Sequence, residues 1–224
     1  MKFSQIIELL LRPKGKVAFL VRLKADASIL DIGCGNNSPY RFKKILPRCS
    51  YTGIDIGEYN QTKPNLADQY IITRPENLSG EIAKLTSSFD AVVSSHNLEH
   101  CNDRQEMLAA MLQSVKPGGL IYLSFPCQES IDFPKREGTL NYFDDPTHRV
   151  GPPNFDLLIT ELTRNGFQIL YSERRYRPKV LWLFGCLFEP ISARKRRNVR
   201  GTWEYWGFES IVWGNLADPP APYG

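Results

Sequence analysis

The sequence predicts an α/β protein with a doubly wound, mostly parallel sheet and helices on both faces. From residue 28 onward, short apolar runs typical of strands alternate with segments typical of helices, and this alternation produces parallel sheets. The strand runs are almost continuously apolar, as expected for strands covered on both faces. The first run ends in a Gly-x-Gly turn, at the edge where such sheets bind their ligands.

The predicted elements follow in order. Two helices are expected before the sheet, at 3–11 and 16–23. The strands of the first half are expected at 28–33, 51–56, 69–72, 89–95 and 120–125, with helices at 40–46, 78–86 and 103–115. Pro117-Gly118-Gly119 should stop the last of these helices, because proline and glycine cannot continue it.

The second half is less regular. Residues 126–152 are rich in proline, aspartate, arginine and aromatic residues, and a loop of this length in a compact domain is usually functional. A helix at 153–165, a strand at 167–176 and a final strand at 202–213 should follow, with an insertion at 178–201. The tail, 218–224, is expected to be extended and loose.

The composition of the chain limits the classes of protein to which it can belong. The net charge of +4 is mild and does not by itself imply nucleic acid as a partner. The five cysteines are scattered without a Cys-x-x-Cys pair, which favours reduced thiols in a cytoplasmic protein and gives no reason to expect a metal site. We find neither a signal-peptide pattern nor an apolar run of the roughly 18 residues that a membrane span needs.

The run Ile29-Leu-Asp-Ile-Gly-Cys-Gly-Asn-Asn37 predicts a buried strand that ends in a ligand-binding loop. Glycine permits the positive φ or the close backbone approach that such a loop requires. A dinucleotide fingerprint would place a third glycine at position 38, but Ser38 and Pro39 follow. The turn therefore indicates a nucleoside-type cofactor without a diphosphate, and disfavours a nicotinamide oxidoreductase.

Two aspartates accompany this turn. Asp55 ends the second strand about 20 residues later, where a carboxylate can accept both hydroxyls of a ribose. Asp31 lies within the first apolar strand, and a buried carboxylate must be hydrogen-bonded. Asp31 could hold the loop through backbone N–H groups, which we favour slightly, or reach a ligand ammonium group through water.

Four segments in register resemble the class I S-adenosylmethionine (SAM)-dependent methyltransferases. They are Ile29-Leu-Asp-Ile-Gly-Cys-Gly35, Tyr51-Thr-Gly-Ile-Asp-Ile56, Phe89-Asp-Ala-Val-Val-Ser-Ser-His-Asn-Leu-Glu-His100 and Val115-Lys-Pro-Gly-Gly-Leu-Ile121. The resemblance implies a Rossmann-like, seven-stranded sheet and S-adenosyl-L-methionine as cofactor. It divides a single domain, 1–224, into a helical segment (1–27), a cofactor-binding half (28–126) and a substrate-side half (127–224).

The resemblance also implies roles for individual residues. The loop containing Gly33, Cys34, Gly35 and Asn36, with Asp31 before it, would approach the methionine part of SAM. Asp55 would bind the ribose, Ile56 would pack on the adenine, and Ser95 and His96 would lie under the methionine. Pro75-Glu76-Asn77 occupies the adenine-edge segment, where the acid usual in the family is not obvious and Arg74 or Glu76 could stand in.

The three histidines are the candidates for proton transfer near neutral pH. His148 lies in the polar and aromatic loop and is our first choice for a base; the alternative is a loop histidine paired with Asp144 and Asp145. His96 is nearer the predicted crevice, where contact with the cofactor is as plausible as catalysis. His100, beside Glu99, could be catalytic or could position the loop after the fourth strand.

The acceptor is expected to be a small molecule, methylated on a hydroxyl. Asn141-Tyr-Phe-Asp-Asp-Pro-Thr-His148 and the segment 201–213 resemble bacterial methyltransferases of surface-glycan or glycolipid biosynthesis, which implies a sugar or glycan-precursor acceptor. Ser95-His-Asn-Leu98 stands where nucleic-acid amino-methyltransferases carry Asn/Asp-Pro-Pro-Tyr/Phe, so no nucleic acid is expected. A non-catalytic SAM- or nucleoside-binding module remains the alternative.

The C-terminal part contains an apolar segment, 180–188, followed by the basic run Arg194-Lys-Arg-Arg-Asn-Val-Arg200. The basic run could be a solvated face, a site for an anionic substrate, or part of a surface for peripheral membrane contact through 180–200. The tryptophans at 182, 203, 206 and 213 are expected mainly in core packing, and some of them in the acceptor site.

Overall fold

The computed structural model describes residues 3–218 and contains one seven-stranded sheet in the order β3-β2-β1-β4-β5-β7-β6. The strands are β1 (Ser28–Ile32), β2 (Ser50–Asp55), β3 (Gln69–Ile72), β4 (Phe89–Ser95), β5 (Val115–Pro126), β6 (Phe167–Glu173) and β7 (Glu209–Leu216). β1 to β5 pair in parallel, and β7 runs antiparallel to β5 and β6. The predicted Rossmann-like, doubly wound and mostly parallel fold is confirmed.

Helices cover both faces of the sheet. They are α1 (Phe3–Leu11), α2 (Lys16–Leu20), α3 (Ser38–Ile45), α4 (Leu78–Ala83), α5 (Arg104–Ser114), α6 (Phe155–Arg164), α7 (Lys179–Lys195) and α8 (Thr202–Trp206). None of the helices among residues 3–218 is long and apolar enough to span a membrane.

Two hydrophobic cores result from the alternation of side chains along each strand. Leu30 and Ile32 of β1 point into the core shared with α4, α5 and α6. Ile29, which precedes Leu30 in the strand, points into the opposite core, which contains residues of α2 and α3. Trp213 lies in this second core, where its ring packs against Phe19 at a centroid distance of 5.6 Å. These cores fix the carboxyl ends of β1, β2 and β4 side by side.

Two expectations about element bounds need correction. α5 ends at Ser114 and β5 begins at once, so that Pro117 and Gly118 lie inside the strand beside a register shift. Residues 202–206 form α8 instead of the start of the last strand. Gly201 and Gly207, at φ of +89° and +61°, bracket this helix and supply the left-handed backbone that its two ends need.

The two irregular segments acquire structure. The loop 126–152 contains two short 3-10 helices, Gln128–Asp132 and Tyr142–Asp144, and the insertion 178–201 is largely α7. The predicted loose tail lies outside the described residues from position 219 onward.

Candidate active site

The loop after β1 requires glycine for a steric reason. Gly33 adopts φ of +74°, and a Cβ on it would lie 2.9 Å from the side chain of Asn97. The Gly33 N–H donates to the carbonyl of Ile54 over 2.9 Å, which draws the loop toward β2. Asn36 and Asn37 follow with φ of +53° and +60°, a conformation that asparagine tolerates better than most residues. The loop is thus a tight turn at the carboxyl edge of the sheet, as predicted.

Asp31 is buried beneath this loop and is held by two hydroxyl groups. Ser38 Oγ donates to Asp31 Oδ2 over 2.5 Å, and Tyr51 Oη donates to the same oxygen over 2.6 Å. Burial raises the pKa of Asp31, while nearby Lys16 and the two hydroxyls act in the opposite direction. Side-chain hydrogen bonds at Asp31 therefore connect the first turn of α3 with β1 and β2. The sequence had favoured backbone N–H groups of the loop as the partners of Asp31.

Asp55 ends β2 directly beside the glycine loop. Its Oδ1 accepts a hydrogen bond of 2.7 Å from the Ile56 N–H, and its Oδ2 lies 3.5 Å from the position of a Cβ on Gly35. Burial raises the pKa of Asp55, and the backbone N–H groups of Ile56, Gly35 and Gly57 counter the rise. Ile56, next to it, is exposed. A carboxylate and an exposed apolar side chain at one loop suit a ribose and a base.

The segment 57–62 crosses the glycine loop, which sequence reasoning did not foresee. The Asn36 N–H donates to the Tyr59 carbonyl over 2.9 Å, and Gln61 Nε2 donates to the Cys34 carbonyl over 3.1 Å. The Cys34 side chain itself is buried against β2, since a Cβ on Gly53 would lie 2.7 Å from its sulfur. Cys34 can therefore face a ligand only through its backbone.

Pro75-Glu76-Asn77, predicted at the adenine edge, forms a short 3-10 helix just after β3. Its residues are exposed, and β3 pairs with β2, so the segment follows the strand next to the one that ends at Asp55. The two segments predicted to bind the nucleoside, Asp55 and 75–77, therefore lie at the ends of neighbouring strands.

A cavity of about 600 Å³ opens between the N-terminal helices, α3 and the ends of β4 and β5. Ser95 and His96, predicted to lie under the methionine, line it together with Asn37 of the glycine loop. The remaining walls include Arg12 and Tyr122, which no motif had indicated, and Trp203 and Glu209 from the segment 201–213. These residues come from the N-terminal segment, from β5 and from positions 203–209, and only the folded structure brings them together.

A chain of ionic contacts runs along this cavity. Arg12 forms an ion pair with Glu209, and Glu209 Oε1 lies 3.2 Å from His96 Nε2. His96 Nδ1 lies 3.1 Å from Glu99 Oε1. The imidazole is thus held between two carboxylates, and its residue adopts φ of +52°, a strained conformation of the kind that clusters at functional sites.

The pKa values of this chain of contacts follow from its charges. Burial alone would lower the pKa of His96, but the hydrogen bonds and charges of Glu209 and Glu99 raise it to about 9. Burial alone would raise the pKa of Glu209, but Arg12 and His96 lower it to about 2. At neutral pH the cavity wall therefore contains a His96 imidazolium that contacts the Glu209 carboxylate.

The other two histidines lie behind this cavity. The ring of His148 is buried and stacked on Tyr142 at 4.2 Å, and it lies 4.8 Å from the ring of His100. Burial lowers the pKa of His100. Neither histidine is among the described residues that line the cavity. The position of His148 argues against the role of base, and only His96 of the three reaches the cavity wall.

The fold and the glycine loop together define a nucleoside-cofactor enzyme of the methyltransferase type. Residues 5–172 match a family model described as a methyltransferase domain. The chain belongs to this family of SAM-dependent methyltransferases, whose cofactor is S-adenosyl-L-methionine. The crevice at this edge of the sheet fits such a cofactor. Asp55 supplies a carboxylate for a ribose, and the turn at Gly33 and Gly35 lets the backbone come close to a nucleoside.

Relatives with curated names match about half of the chain. The ubiquinone biosynthesis O-methyltransferase of Pseudomonas aeruginosa is 32% identical over 108 residues, which cover 45% of this chain and 44% of the relative. The 27-O-demethylrifamycin SV methyltransferase of Amycolatopsis mediterranei is 27% identical over 115 residues, 48% of this chain and 42% of the relative. The match spans less than half the length of either relative.

Solved structures confirm the fold over nearly the whole chain. A SAM-dependent methyltransferase from Mesorhizobium loti superposes with a TM-score of 0.58 at 16% identity, covering 89% of this chain and 97% of that one. An N-methyltransferase of Haemonchus contortus in complex with S-adenosylhomocysteine superposes with a TM-score of 0.55 at 14% identity, covering 91% and 52%.

Proposed function

We propose that this protein transfers the methyl group of SAM to a hydroxyl oxygen of a small-molecule acceptor. The observation that carries the proposal is the cavity in which Asn37, Ser95 and His96 meet Trp203 and Glu209. One wall belongs to the segments predicted to bind the cofactor, and the other includes Trp203 and Glu209, which would contact an acceptor. Two relatives support oxygen as the methylated atom: one is named an O-methyltransferase, and the other is named a methyltransferase of 27-O-demethylrifamycin SV.

The cofactor would bind along the carboxyl edge of the sheet. Asp55 would accept the ribose hydroxyls, and exposed Ile56 would pack on the adenine, with the segment 75–77 at its edge. The backbone of 33–36 would approach the methionine part, above Ser95 and His96. Asp31 would act indirectly, because its two hydroxyl partners shape the loop.

The bound SAM supplies a sulfonium methyl group that is already activated for in-line transfer. The protein residues would then mainly align the acceptor, and such alignment accounts for much of the rate in reactions of this kind. Glu209 would accept a hydrogen bond from the acceptor hydroxyl, and the proton of that hydroxyl would pass to water at the cavity opening as the oxygen takes the methyl group. Arg12 and His96 would hold the Glu209 carboxylate in place, because both contact it directly.

The cavity walls indicate the class of acceptor. Tyr40, Tyr122 and Trp203 offer aromatic surface, and the cations Lys16, Arg41 and Lys44 line the same cavity. A ring-bearing acceptor with an anionic group fits this lining. The names of the relatives point to ubiquinone biosynthesis and to rifamycin SV, both of them O-methylation settings.

The sugar or glycan acceptor rests only on the resemblance of 141–148 and 201–213. Two residues of the first segment serve its own architecture. Asn141 and Asp144 form a capping box, and Asp144 Oδ2 also accepts hydrogen bonds from the backbone of Arg136 and Leu140. We therefore rank glycans below anionic ring compounds among the acceptors to be tested.

The direct test is an acceptor screen in which S-adenosylhomocysteine is measured. The panel should contain hydroxylated aromatic acids, neutral phenols, phosphorylated sugars and neutral sugars, each incubated with SAM and purified protein. We expect turnover with the hydroxylated aromatic acids. Saturable SAM binding without turnover on any acceptor would favour a non-catalytic binding module, and absence of SAM binding would overturn the proposal.

We also propose that the surface formed by α7 and α1 docks on an anionic membrane. α7 exposes Leu183 and Leu187 to 58% and 72%, together with Phe184 and Phe188. The exposed basic side chains of residues 194–197 and 200 follow at its C-terminal end. Apolar side chains beside lysine and arginine suit the interface of an anionic bilayer.

The five free cysteines are those expected of a cytoplasmic protein, and we propose the cytoplasmic face of the membrane as the location of this protein.

Docking would bring the cavity close to lipid-soluble acceptors. α1 contacts α7 and exposes Phe3 and Leu10, while Ser4 and Glu8 on the same helix line the cavity. A molecule that partitions into the bilayer would therefore meet the cavity opening at the docked surface.

The substitution Leu187→Glu is expected to lower binding to vesicles containing anionic lipid by about tenfold or more, because burying a leucine side chain contributes about 1.5–3 kcal/mol. Co-sedimentation with anionic and with neutral vesicles measures this. Leu157→Glu is the matched control, since Leu157 is 58% exposed on α6. Equal loss in both variants, or no binding by the unaltered protein, would contradict the docking surface.

A further inference from the structure

Three potential metal ligands meet behind the cavity. Glu99 and His100 lie in the short helix after β4, and His148 comes from the loop 126–152. One ligand atom from each of the three lies within 4.8 Å of the other two. Around a tetrahedral metal with bonds of about 2.0–2.1 Å, ligand atoms are about 3.3 Å apart. The exposed ring of His100 can supply the small inward movement.

Both histidines are held in the tautomer that a metal needs. His148 Nδ1 lies 2.5 Å from the Tyr142 carbonyl, which can only accept, so this nitrogen carries the proton. His100 Nδ1 lies 2.9 Å from Thr147 Oγ1, whose own proton is donated to Asp145. Nε2 of each neutral ring is therefore the atom left with a lone pair. Hydrogen bonds from the far nitrogen to a carbonyl or a carboxylate-linked group are typical of histidines that bind metals.

Glu99 provides an independent indication. The residue is almost fully buried, and its Oε1 is occupied by His96. Its other oxygen, Oε2, has no hydrogen-bond partner among residues 3–218. An unpaired buried carboxylate oxygen is costly unless a cation or a donor satisfies it. None of the steps assigned to the cavity uses this oxygen.

We propose that Glu99, His100 and His148 bind a divalent transition metal ion, with Zn²⁺ as the best match. Two imidazoles and one carboxylate form a known zinc ligand set, and the exposure of His100 leaves room for water as the fourth ligand. The metal joins the loop 126–152 to the end of β4. It also fixes Glu99, which holds His96 in the cavity wall. The scattered cysteines gave no reason to expect a metal site. The proposed ligands are a glutamate and two histidines, on which the spacing of the cysteines carries no information.

The test is equilibrium dialysis of the full chain against Zn²⁺ after treatment with chelator, with metal content measured directly. We expect one Zn²⁺ per chain and a rise in melting temperature when Zn²⁺ is added. His148→Asn keeps a donor near the Nδ1 position but lacks an atom at Nε2, and should weaken binding by more than about 100-fold. His100→Ala should do the same without disturbing the core, since His100 is exposed.

Two controls make the outcome decisive. His148→Gln, which places a polar atom near the Nε2 position, should bind more metal than His148→Asn. Asn102→Ala alters an exposed neighbour and should bind Zn²⁺ as the unaltered chain does. Failure of the unaltered chain to bind Zn²⁺ at micromolar concentration, or equal binding by His100→Ala, would overturn the proposal. These measurements do not depend on methyl transfer.

Discussion

Replacing Asp55 with alanine is expected to weaken SAM binding by about 100-fold. A hydrogen bond to a charged acceptor contributes about 1.5–3 kcal/mol, and Asp55 is placed to accept from both ribose hydroxyls. Isothermal titration with SAM measures the loss directly. Because alanine also leaves the Ile56 N–H without its present partner, Asp55→Asn should be measured beside it. Asparagine keeps an oxygen for that N–H, but it removes the charge and replaces the second acceptor oxygen with an NH2 donor.

The matched control for Asp55 is Asp26→Ala. Asp26 is exposed and precedes β1 at the opposite edge of the sheet, so the same change in net charge should leave SAM affinity unaltered. Circular dichroism and the melting temperature show whether each variant is folded. Unchanged affinity in folded Asp55→Ala would remove Asp55 from the cofactor site and with it the nucleoside orientation that we propose.

Replacing Glu209 with glutamine is expected to lower the free energy of unfolding by about 3–5 kcal/mol, since removing one partner from a buried ion pair leaves the other uncompensated. Arg12 and His96 would both lose their carboxylate. Turnover should also fall, because Glu209 lines the cavity. Urea unfolding of the two proteins at neutral pH measures the loss of stability.

The double variant Arg12→Met/Glu209→Gln distinguishes the contribution of the ion pair to stability from the contribution of packing. Removing both charges is often close to neutral, so the double variant should recover most of the stability lost in Glu209→Gln while remaining inactive. If the double variant is as unstable as the two single changes combined, the Arg12–Glu209 contact contributes little, and our account of the cavity wall is wrong.

The ion pair of Arg12 and Glu209 also predicts how the free energy of unfolding falls at acid pH. The folded-state pKa of Glu209 is about 2, below its ordinary value of 4.5, so its contribution is fully present above pH 4.5 and is lost as the pH falls toward 2. The unaltered protein should lose stability in this window more steeply than Glu209→Gln. Urea unfolding at pH 3 and at pH 6 distinguishes the two proteins.

The cofactor half of the site was predictable because its chemistry depends on local sequence. Gly33 must be glycine since its φ is positive and Asn97 approaches it, and Asp55 stands at a strand end that periodicity alone locates. Ser95 and His96 were found in the same way. Asp31 was placed correctly in a buried strand, but its partners Ser38 and Tyr51 could not be read from spacing.

The acceptor half was not predictable, because its residues are remote in sequence. Arg12 and Glu209 form one ion pair although 197 positions separate them. Arg12 belongs to no motif, and Glu209 lies in the segment 201–213, whose pattern does not indicate this partner. His148 was chosen as a base from its polar neighbours, yet packing against Tyr142 and His100 keeps it behind the cavity.

The sequence by itself determined the fold class and the cofactor, and it predicts the edge of the sheet that would bind this cofactor, since apolar periodicity and turn chemistry are local and recur at fixed spacing. The tertiary structure alone decided which charges line the cavity, which histidine reaches it, and that Glu99, His100 and His148 meet. Those contacts depend on how the N-terminal helices, the loop 126–152 and β7 pack around the sheet, and long-range packing leaves no periodic pattern in the chain.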